Sequence, residues 1–220
     1  MTFASSDEQR QLADMLDAHL ARGDAHWARA VEESGVGSLG IAEDAGGLGT
    51  DLRDGAVVAA AFGRANAGLD WAEHWARNRY GATNEAARDA LAILHSAEMV
   101  GLCTTLLADT AAFLKERRQF GVAIASFQAL RHRMADMAMA LALADAAVGA
   151  AIDTPDDARA VAAARVLAEE AARIVGEGAV QLHGAMGLTA ELRVGGYFRR
   201  LRVLMQGDGT ARGMLRRMAV

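Results

Sequence analysis

The stretch Glu116–Ala140, ERRQFGVAIASFQALRHRMADMAMA, contains the break between two long segments rich in alanine, leucine and methionine. Apolar residues recur at helical spacing before it, over 86–116, and from within it onward, over 128–152. The glycine-containing piece between them predicts a turn. Pro155 and two aspartates then mark the start of a third long helix, over 156–180. Long helices joined by short connections predict a helical bundle.

The N-terminal part of the chain is built from shorter pieces. Ser5 and Glu8 have the spacing of a capping box, and apolar residues follow at helical intervals. A second short helix is predicted over 25–34, and a glycine-dense loop then leads into a helix over 52–65. Residues 66–85 are the least regular part of the chain. Two interpretations of their aromatic residues stay open, a ligand or partner contact and an anchor to the core: Trp71, Trp75 and Tyr80.

These patterns predict an all-α protein without repeats or a run of strands. We divide it into an N-terminal helical domain over 1–65, a connection over 66–85 and a C-terminal four-helix-bundle domain over 86–220. Two short helices, around 194–206 and 210–218, are predicted to end the chain.

Composition supports the same fold class and excludes several functions. The chain is 52% hydrophobic but only 5% aromatic, and it has one proline, as expected for closely packed helices. A net charge of −5 argues against binding nucleic acid. Cys103 is the single cysteine, so neither a disulfide framework nor a cysteine metal site is expected. We find neither a signal-peptide pattern nor an uncharged run of about 18 apolar residues, so we expect a cytoplasmic protein without a membrane span.

Three segments carry motifs: the opening stretch, residues 176–200 and residues 205–217. Together they resemble the C-terminal helical domain of the acyl-CoA dehydrogenase family, with its pattern R-x-Q-F-G, F-Q, L-A-D-M, Q-x-x-G-G-x-G and Y-E-G-T. The N-terminal stretch 39–65, LGIAEDAGGLGTDLRDGAVVAAAFGRA, is similar to the first helical domain of that family. The matching C-terminal positions are Arg117, Gln119, Phe120, Gly121, Phe127, Gln128, Met134, Ala135, Asp136, Met137, Gln181, Gly184, Ala185, Gly187, Gly207, Asp208, Gly209 and Thr210.

The resemblance implies FAD as cofactor and α,β-desaturation of an acyl-CoA as reaction. An arginine holds a pyrophosphate through charge-assisted hydrogen bonds, a glutamine offers an amide, and a glycine lets backbone N–H groups approach a phosphate closely. The cofactor-binding residues implied in this way are Arg117, Gln119, Phe120, Gln128, Gln181, Gly184, Ala185 and Thr210.

Family members normally carry a middle β-domain, which holds the flavin ring and one wall of the acyl site. No segment here alternates apolar and polar residues over strand lengths, so we predict that this domain is absent. In the family the arginine and glutamine motifs reach across a dimer interface to the neighbour's FAD, whereas the Y-E-G-T glutamate is the base within its own subunit. Asp208 stands at that base position. Its shorter side chain displaces the carboxylate by about 1 Å, which costs roughly 10²-fold in rate.

Three hypotheses follow. The chain is a subunit of a heteromer, with α2β2 as the expected stoichiometry, whose β-domain-containing acyl-CoA dehydrogenase partner binds FAD and carries the base. Similar heterotetramers act in bacterial steroid side-chain breakdown, which implies a bulky acyl-CoA substrate, and an electron-transferring flavoprotein is the usual acceptor in the family. Alternatively, the chain is a homomeric enzyme with Asp208 as base, or a non-catalytic scaffold. The missing β-domain argues against the second hypothesis, and the retained Arg117 and Gln128 argue against the third.

Overall fold

A computed structural model describes residues 3, 6–21, 35–68, 70–81, 84–184, 193–206 and 209–218. Helices dominate this part of the chain, which confirms the all-α prediction. A β-hairpin with two residues in each strand interrupts them. Its strands are β1 (Arg118–Gln119) and β2 (Val122–Ala123). The helices are α1 (Asp7–Leu20), α2 (Leu52–Ala65), α3 (Trp71–Tyr80), α4 (Glu85–Glu116), α5 (Gln128–Asp153), α6 (Ala158–His183), α7 (Arg193–Leu204) and α8 (Ala211–Met218).

The long helices α4, α5 and α6 pack against one another, and α7 lies against α4 and α6. Side chains satisfy the first N–H groups of two of them. The Asn84 side chain accepts from the Ala87 N–H at 2.8 Å at the start of α4, and Asp157 accepts from the Arg159 N–H at 2.9 Å at the start of α6. Because successive helices run in opposite directions, the end of α4, the start of α5 and the end of α6 lie at the same end of the bundle.

The N-terminal helices share a core with this bundle. One cluster of buried apolar side chains extends from Leu16 in α1 through α2 and α4 to Val148 in α5 and Val161 in α6. The capping box of α1 lies one residue later than predicted, since Ser6 and Gln9 form it. The predicted helix over 25–34 lies outside the described residues. The division into domains stays a prediction.

The least regular segment of the sequence contains a helix, because α3 occupies half of the predicted connection. Trp71 and Trp75 are one turn apart and both are buried, so their burial against the core stabilises this helix. The indole N–H of Trp71 donates to the backbone oxygen of Val36 at 3.2 Å, and its ring packs edge-on against Phe62. In the described structure the two tryptophans therefore anchor the segment to the core.

Helices α4 and α5 are each long and apolar enough to cross a membrane by length and composition alone. The core helices of soluble proteins can have the same length and composition. The most apolar window of α4 is 72% buried within the fold, as such a core helix would be, whereas that of α5 is only 33% buried. The absence of a membrane span stays a prediction.

Candidate functional site

The connection between α4 and α5 presents four of the predicted cofactor-binding residues. Arg117 ends α4, where its N–H donates to the backbone oxygen of Phe113 at 2.9 Å. Gln119 lies in the hairpin and Gln128 begins α5, and all of these side chains except that of Phe113 are exposed. Arg117 has no ion-pair partner within the described part of the chain. Its guanidinium therefore keeps its donors available for an anion.

Phe120, the fourth residue, stands at the tip of the hairpin. It has a φ of +52°, and Gly121 after it has a φ of +80°, as a two-residue turn between antiparallel strands requires. A bulky residue rarely adopts this conformation. The turn leaves the ring 90% exposed, touching Phe127 edge-on with 6.2 Å between ring centroids. The hairpin thus presents an aromatic surface to solvent beside Arg117, which has no ion-pair partner among the described residues.

The end of α6 brings a second group of predicted residues to the same place. Gln181 is exposed in the last turn, and Gly184 ends the helix with a φ of +65°. Between them, His183 is buried and stacks on Phe113, with 4.3 Å between the ring centroids. Since Phe113 also accepts the Arg117 N–H, this stack joins the end of α6 to the end of α4. Ala185 lies outside the described residues.

A cleft of about 270 Å³ lies beside the hairpin. Its walls are apolar side chains of α4 and α5, including Leu114 and Met134, and Lys115 and Arg131 add positive charge. The volume is below the range of about 300–1,000 Å³ in which proteins enclose ligands of drug size. The donors at this end of the bundle fit phosphates and a purine edge, but the described surface does not enclose a dinucleotide.

The described residues on either side of the base position lie in another part of the fold. There the buried Arg165 donates from its Nε to the partly buried Glu169 at 2.8 Å, and a second nitrogen of Arg165 donates to the backbone oxygen of Leu204. The same Glu169 oxygen accepts from the Ala211 N–H at 2.9 Å. The pair thus joins the end of α7 and the start of α8 to α6, on either side of residues 205–210. At about 1.5 Å per residue, Glu169 is roughly 20 Å along α6 from His183.

One predicted cofactor-binding residue, Thr210, belongs to this second region. Thr210 precedes α8, and its hydroxyl accepts from the Gly213 N–H at 3.3 Å, as a helix cap does. It therefore stands apart from Arg117, Gln128 and Gln181. Asp208 lies outside the described residues, so its role stays a prediction.

Sequence reasoning missed a charged network between α3, α4 and α7. Glu98 is buried in α4 and accepts from two nitrogens of Arg200, at 2.6 and 3.1 Å. Burial raises the pKa of Glu98, and Arg200 offsets part of that effect. One turn earlier, His95 bonds Glu73 at 2.9 Å and thereby lowers the pKa of that carboxyl. The signal available in the sequence was a lone acid within the apolar run of α4.

Comparison with known proteins adds to this geometry. Residues 87–220 match the family described as "Acyl-CoA dehydrogenase, C-terminal domain". The acyl-CoA dehydrogenase IpdE2 of Mycolicibacterium smegmatis is 42% identical over 135 residues, which are 61% of this chain and 43% of that protein. The IpdE2 of Mycobacterium tuberculosis is 40% identical over 130 residues. This chain thus spans less than half the length of these relatives.

Two solved structures match over nearly the whole chain. A chain of the ChsE4-ChsE5 complex from Mycobacterium tuberculosis has a TM-score of 0.86, covering 100% of this chain and 98% of its own length. A chain from the Tcur3481-Tcur3483 steroid ACAD, solved as a variant, has a TM-score of 0.84, with 97% of each chain covered. Both are 16% identical to this chain, so the likeness is one of fold. It includes the N-terminal helices and the lack of a middle domain.

Proposed function

The chain belongs to the acyl-CoA dehydrogenase family, and on that premise we propose that it is one subunit of a heteromeric acyl-CoA dehydrogenase. In this proposal it completes the FAD site of a partner subunit that contains a β-domain. The reaction is the α,β-desaturation of an acyl-CoA. Family members generally bind FAD, and bound FAD would supply the hydride acceptor for this reaction.

One observation carries the proposal. Arg117, Gln128, Gln181 and Gly184 share one end of the bundle, yet the three side chains are exposed, and none of the four residues lines the cleft of about 270 Å³ near the hairpin. A ligand that touches all four needs a second protein surface to cover its other side. A partner subunit that brings its own FAD to this end supplies that surface.

Each residue of this end has a distinct task in the proposal. Arg117 donates charge-assisted hydrogen bonds to the pyrophosphate. Gln128 and Gln181 offer carboxamides to the adenosine side, and Gly184 exposes backbone without a side chain. Phe120 offers an aromatic face to the same part of the cofactor. These groups bind and orient the cofactor, and none of them transfers a proton.

The base of the reaction comes from the partner in this proposal. The segment around Thr210 lies roughly 20 Å along α6 from the cofactor end, so the two regions serve different sites. For the substrate we propose a steroid side-chain CoA thioester, by analogy with the Tcur3481-Tcur3483 steroid ACAD. An electron-transferring flavoprotein is the proposed electron acceptor, α2β2 the proposed stoichiometry, and the cytoplasm the proposed location.

Co-expression tests the proposal. The chain is purified alone and together with the β-domain-containing subunit encoded beside it, and flavin absorbance is measured per protomer. We expect flavin only in the co-expressed sample, at about one FAD per pair, with turnover of a steroid side-chain CoA thioester well above that of butyryl-CoA. Yellow protein with dehydrogenase activity from the chain alone would instead identify a homomeric enzyme. Absence of flavin from both samples would identify a scaffold.

Two variants locate the site within that complex. Arg117→Ala is expected to lower FAD affinity about 10-fold or more, since it removes a charge-assisted contact. Arg202→Ala is the matched control, because it removes the same charge from an exposed position on α7, away from the hairpin. Asp208→Ala should leave turnover nearly unchanged. A large loss of turnover in that variant, with flavin retained, would contradict the assignment of the base to the partner.

A further inference from the structure

Helix α5 has an apolar side that the rest of the described fold leaves uncovered. Its buried residues lie on one side and pack on α4 and α6. From Met137 to Ile152 the only ionisable residue is Asp145, which is partly buried. Helices at a protein surface normally carry charged or polar residues on the outer side. Apart from the exposed Asp136 near its start, the outer face of α5 instead consists of exposed apolar residues: Ala135, Ala138, Met139, Ala142, Leu143, Ala146 and Ala150.

The large members of this face are strongly exposed. Met139 is 62% and Leu143 53% accessible, and they are one turn apart. The exposed residues between Met137 and Ile152 are all uncharged, and they extend over about four turns of the helix. A contiguous exposed apolar surface of this kind marks a contact site.

The face also leads to the candidate cofactor site. At about 100° per residue, Gln128, Met139 and Ala146 lie within roughly 20° of one line along the helix. Beyond the start of α5, the exposed rings of Phe127 and Phe120 continue the apolar surface. A protein that brings a cofactor to Gln128 therefore lies over the start of this same line.

Charge at the start of the helix adds to the description of the occupant. Exposed arginines surround the hairpin and the first turn and a half of α5: Arg117, Arg118, Arg131 and Arg133. The apolar face begins directly after them. A protein that binds this face is therefore expected to have anionic groups, such as the phosphates of a bound dinucleotide. Next to them it needs an apolar surface about as long as α5.

We propose that this outer face of α5 is the docking surface for the β-domain-containing partner subunit. The proposal rests on the proposed function, because the occupant is the subunit whose FAD reaches Gln128. Docking places the apolar strip of the partner along Met139 and Leu143. The arginines at the hairpin then lie opposite the cofactor.

A charge introduced on the face tests the proposal. Met139→Glu and Leu143→Glu are compared with Val203→Glu, a matched control on α7 whose native side chain is 56% exposed. The partner complex is followed by light scattering after size-exclusion chromatography, and its Kd by titration with labelled chain. We expect the two α5 variants to keep the far-UV circular dichroism and melting temperature of the unmodified chain while binding the partner about 100-fold more weakly, because a buried unpaired carboxylate opposes association. Val203→Glu should bind normally.

The outcomes separate this inference from the proposed function. A flavin-loaded complex that forms normally with Met139→Glu overturns the docking surface and leaves the proposed function standing. A third outcome is that the unmodified chain forms a complex without flavin and Met139→Glu does not form it. That result supports the docking surface and contradicts the proposed function. Failure of the unmodified chain to bind the partner overturns both. Self-association, or binding to anionic phospholipid vesicles, that Met139→Glu abolishes overturns the choice of occupant.

Discussion

Replacement of Arg200 by methionine should strongly destabilise the fold. Arg200 donates two hydrogen bonds to Glu98, at 2.6 and 3.1 Å, and both side chains are largely withdrawn from solvent. Methionine keeps much of the volume but leaves the carboxyl group buried without its cation. Loss of one partner of a buried ion pair costs about 3–5 kcal/mol. For a chain of this size, roughly 2–4 °C of melting temperature are lost per kcal/mol, so we expect a decrease of roughly 6–20 °C.

The loss should depend on pH in a defined direction. Burial raises the pKa of Glu98 above its usual value of 4.5, and removal of Arg200 takes away the main opposing effect. The folded state then retains a proton that the unfolded state releases, so the contribution of Glu98 to stability is largest below the unfolded pKa and decreases as pH rises through the folded pKa. The gap in melting temperature between Arg200→Met and the unmodified chain should therefore be smaller at pH 5 than at pH 8.

Thermal unfolding followed by circular dichroism at pH 5, 6.5 and 8 measures both effects. Arg202→Met, at an exposed position of the same helix, is the control and should melt within about 2 °C of the unmodified chain. The double variant Glu98→Leu/Arg200→Met should recover most of the loss, because apolar groups of similar size replace both charges. An Arg200→Met variant as stable as the control at pH 8, or a double variant no better than the single one, would refute the reasoning.

Two further predictions concern the α2–α4 contact and the buried cysteine. Gly101→Ala places a Cβ 2.1 Å from the backbone oxygen of Ala60, so the helices must separate, and we expect about 1–3 kcal/mol of destabilisation in urea unfolding. Gly209→Ala, whose new Cβ has no described atom within 4 Å, should differ little, and equal losses in the two variants would exclude the steric explanation. Cys103 is fully buried and burial raises the pKa of its thiol, so a chromogenic disulfide reagent should label it at least about 100-fold more slowly in buffer than in urea. Rapid stoichiometric labelling of the folded chain would contradict this burial.

Long helices were the part of the fold that the sequence predicted best. The predicted ranges 86–116 and 128–152 differ from α4 and α5 by one residue each, because periodic apolar residues and a glycine-containing turn are local signals. The helix α3 was missed, since half of its short sequence is polar and it is stabilised by burial of Trp71 and Trp75. Such burial depends on elements distant in the chain, which no local pattern reports.

For the candidate site too, the sequence identified individual residues, and the tertiary structure decided how they are arranged. Motif resemblance identified Arg117, Gln128, Gln181 and Gly184 one by one. Their position at one end of the bundle follows from the antiparallel order of α4, α5 and α6 and from the stack of His183 on a ring of α4. The placement of Thr210 in a different region depends on contacts of α6 with α7 and α8, which join residues far apart in the sequence.

By itself, the sequence determined the helical fold class and the family, because helix periodicity and short motifs are encoded by neighbouring residues. Only the tertiary structure decided that Glu98 contacts Arg200, since the two residues are 102 positions apart and no local sequence pattern identifies the contact. It also decided which side of α5 is uncovered. When a helix is apolar on all sides, its sequence does not indicate which side packs against the core. From the sequence alone such a helix is predicted to be buried. The packing of α4 and α6 against one side leaves Met139 and Leu143 in solvent, where a partner can reach them.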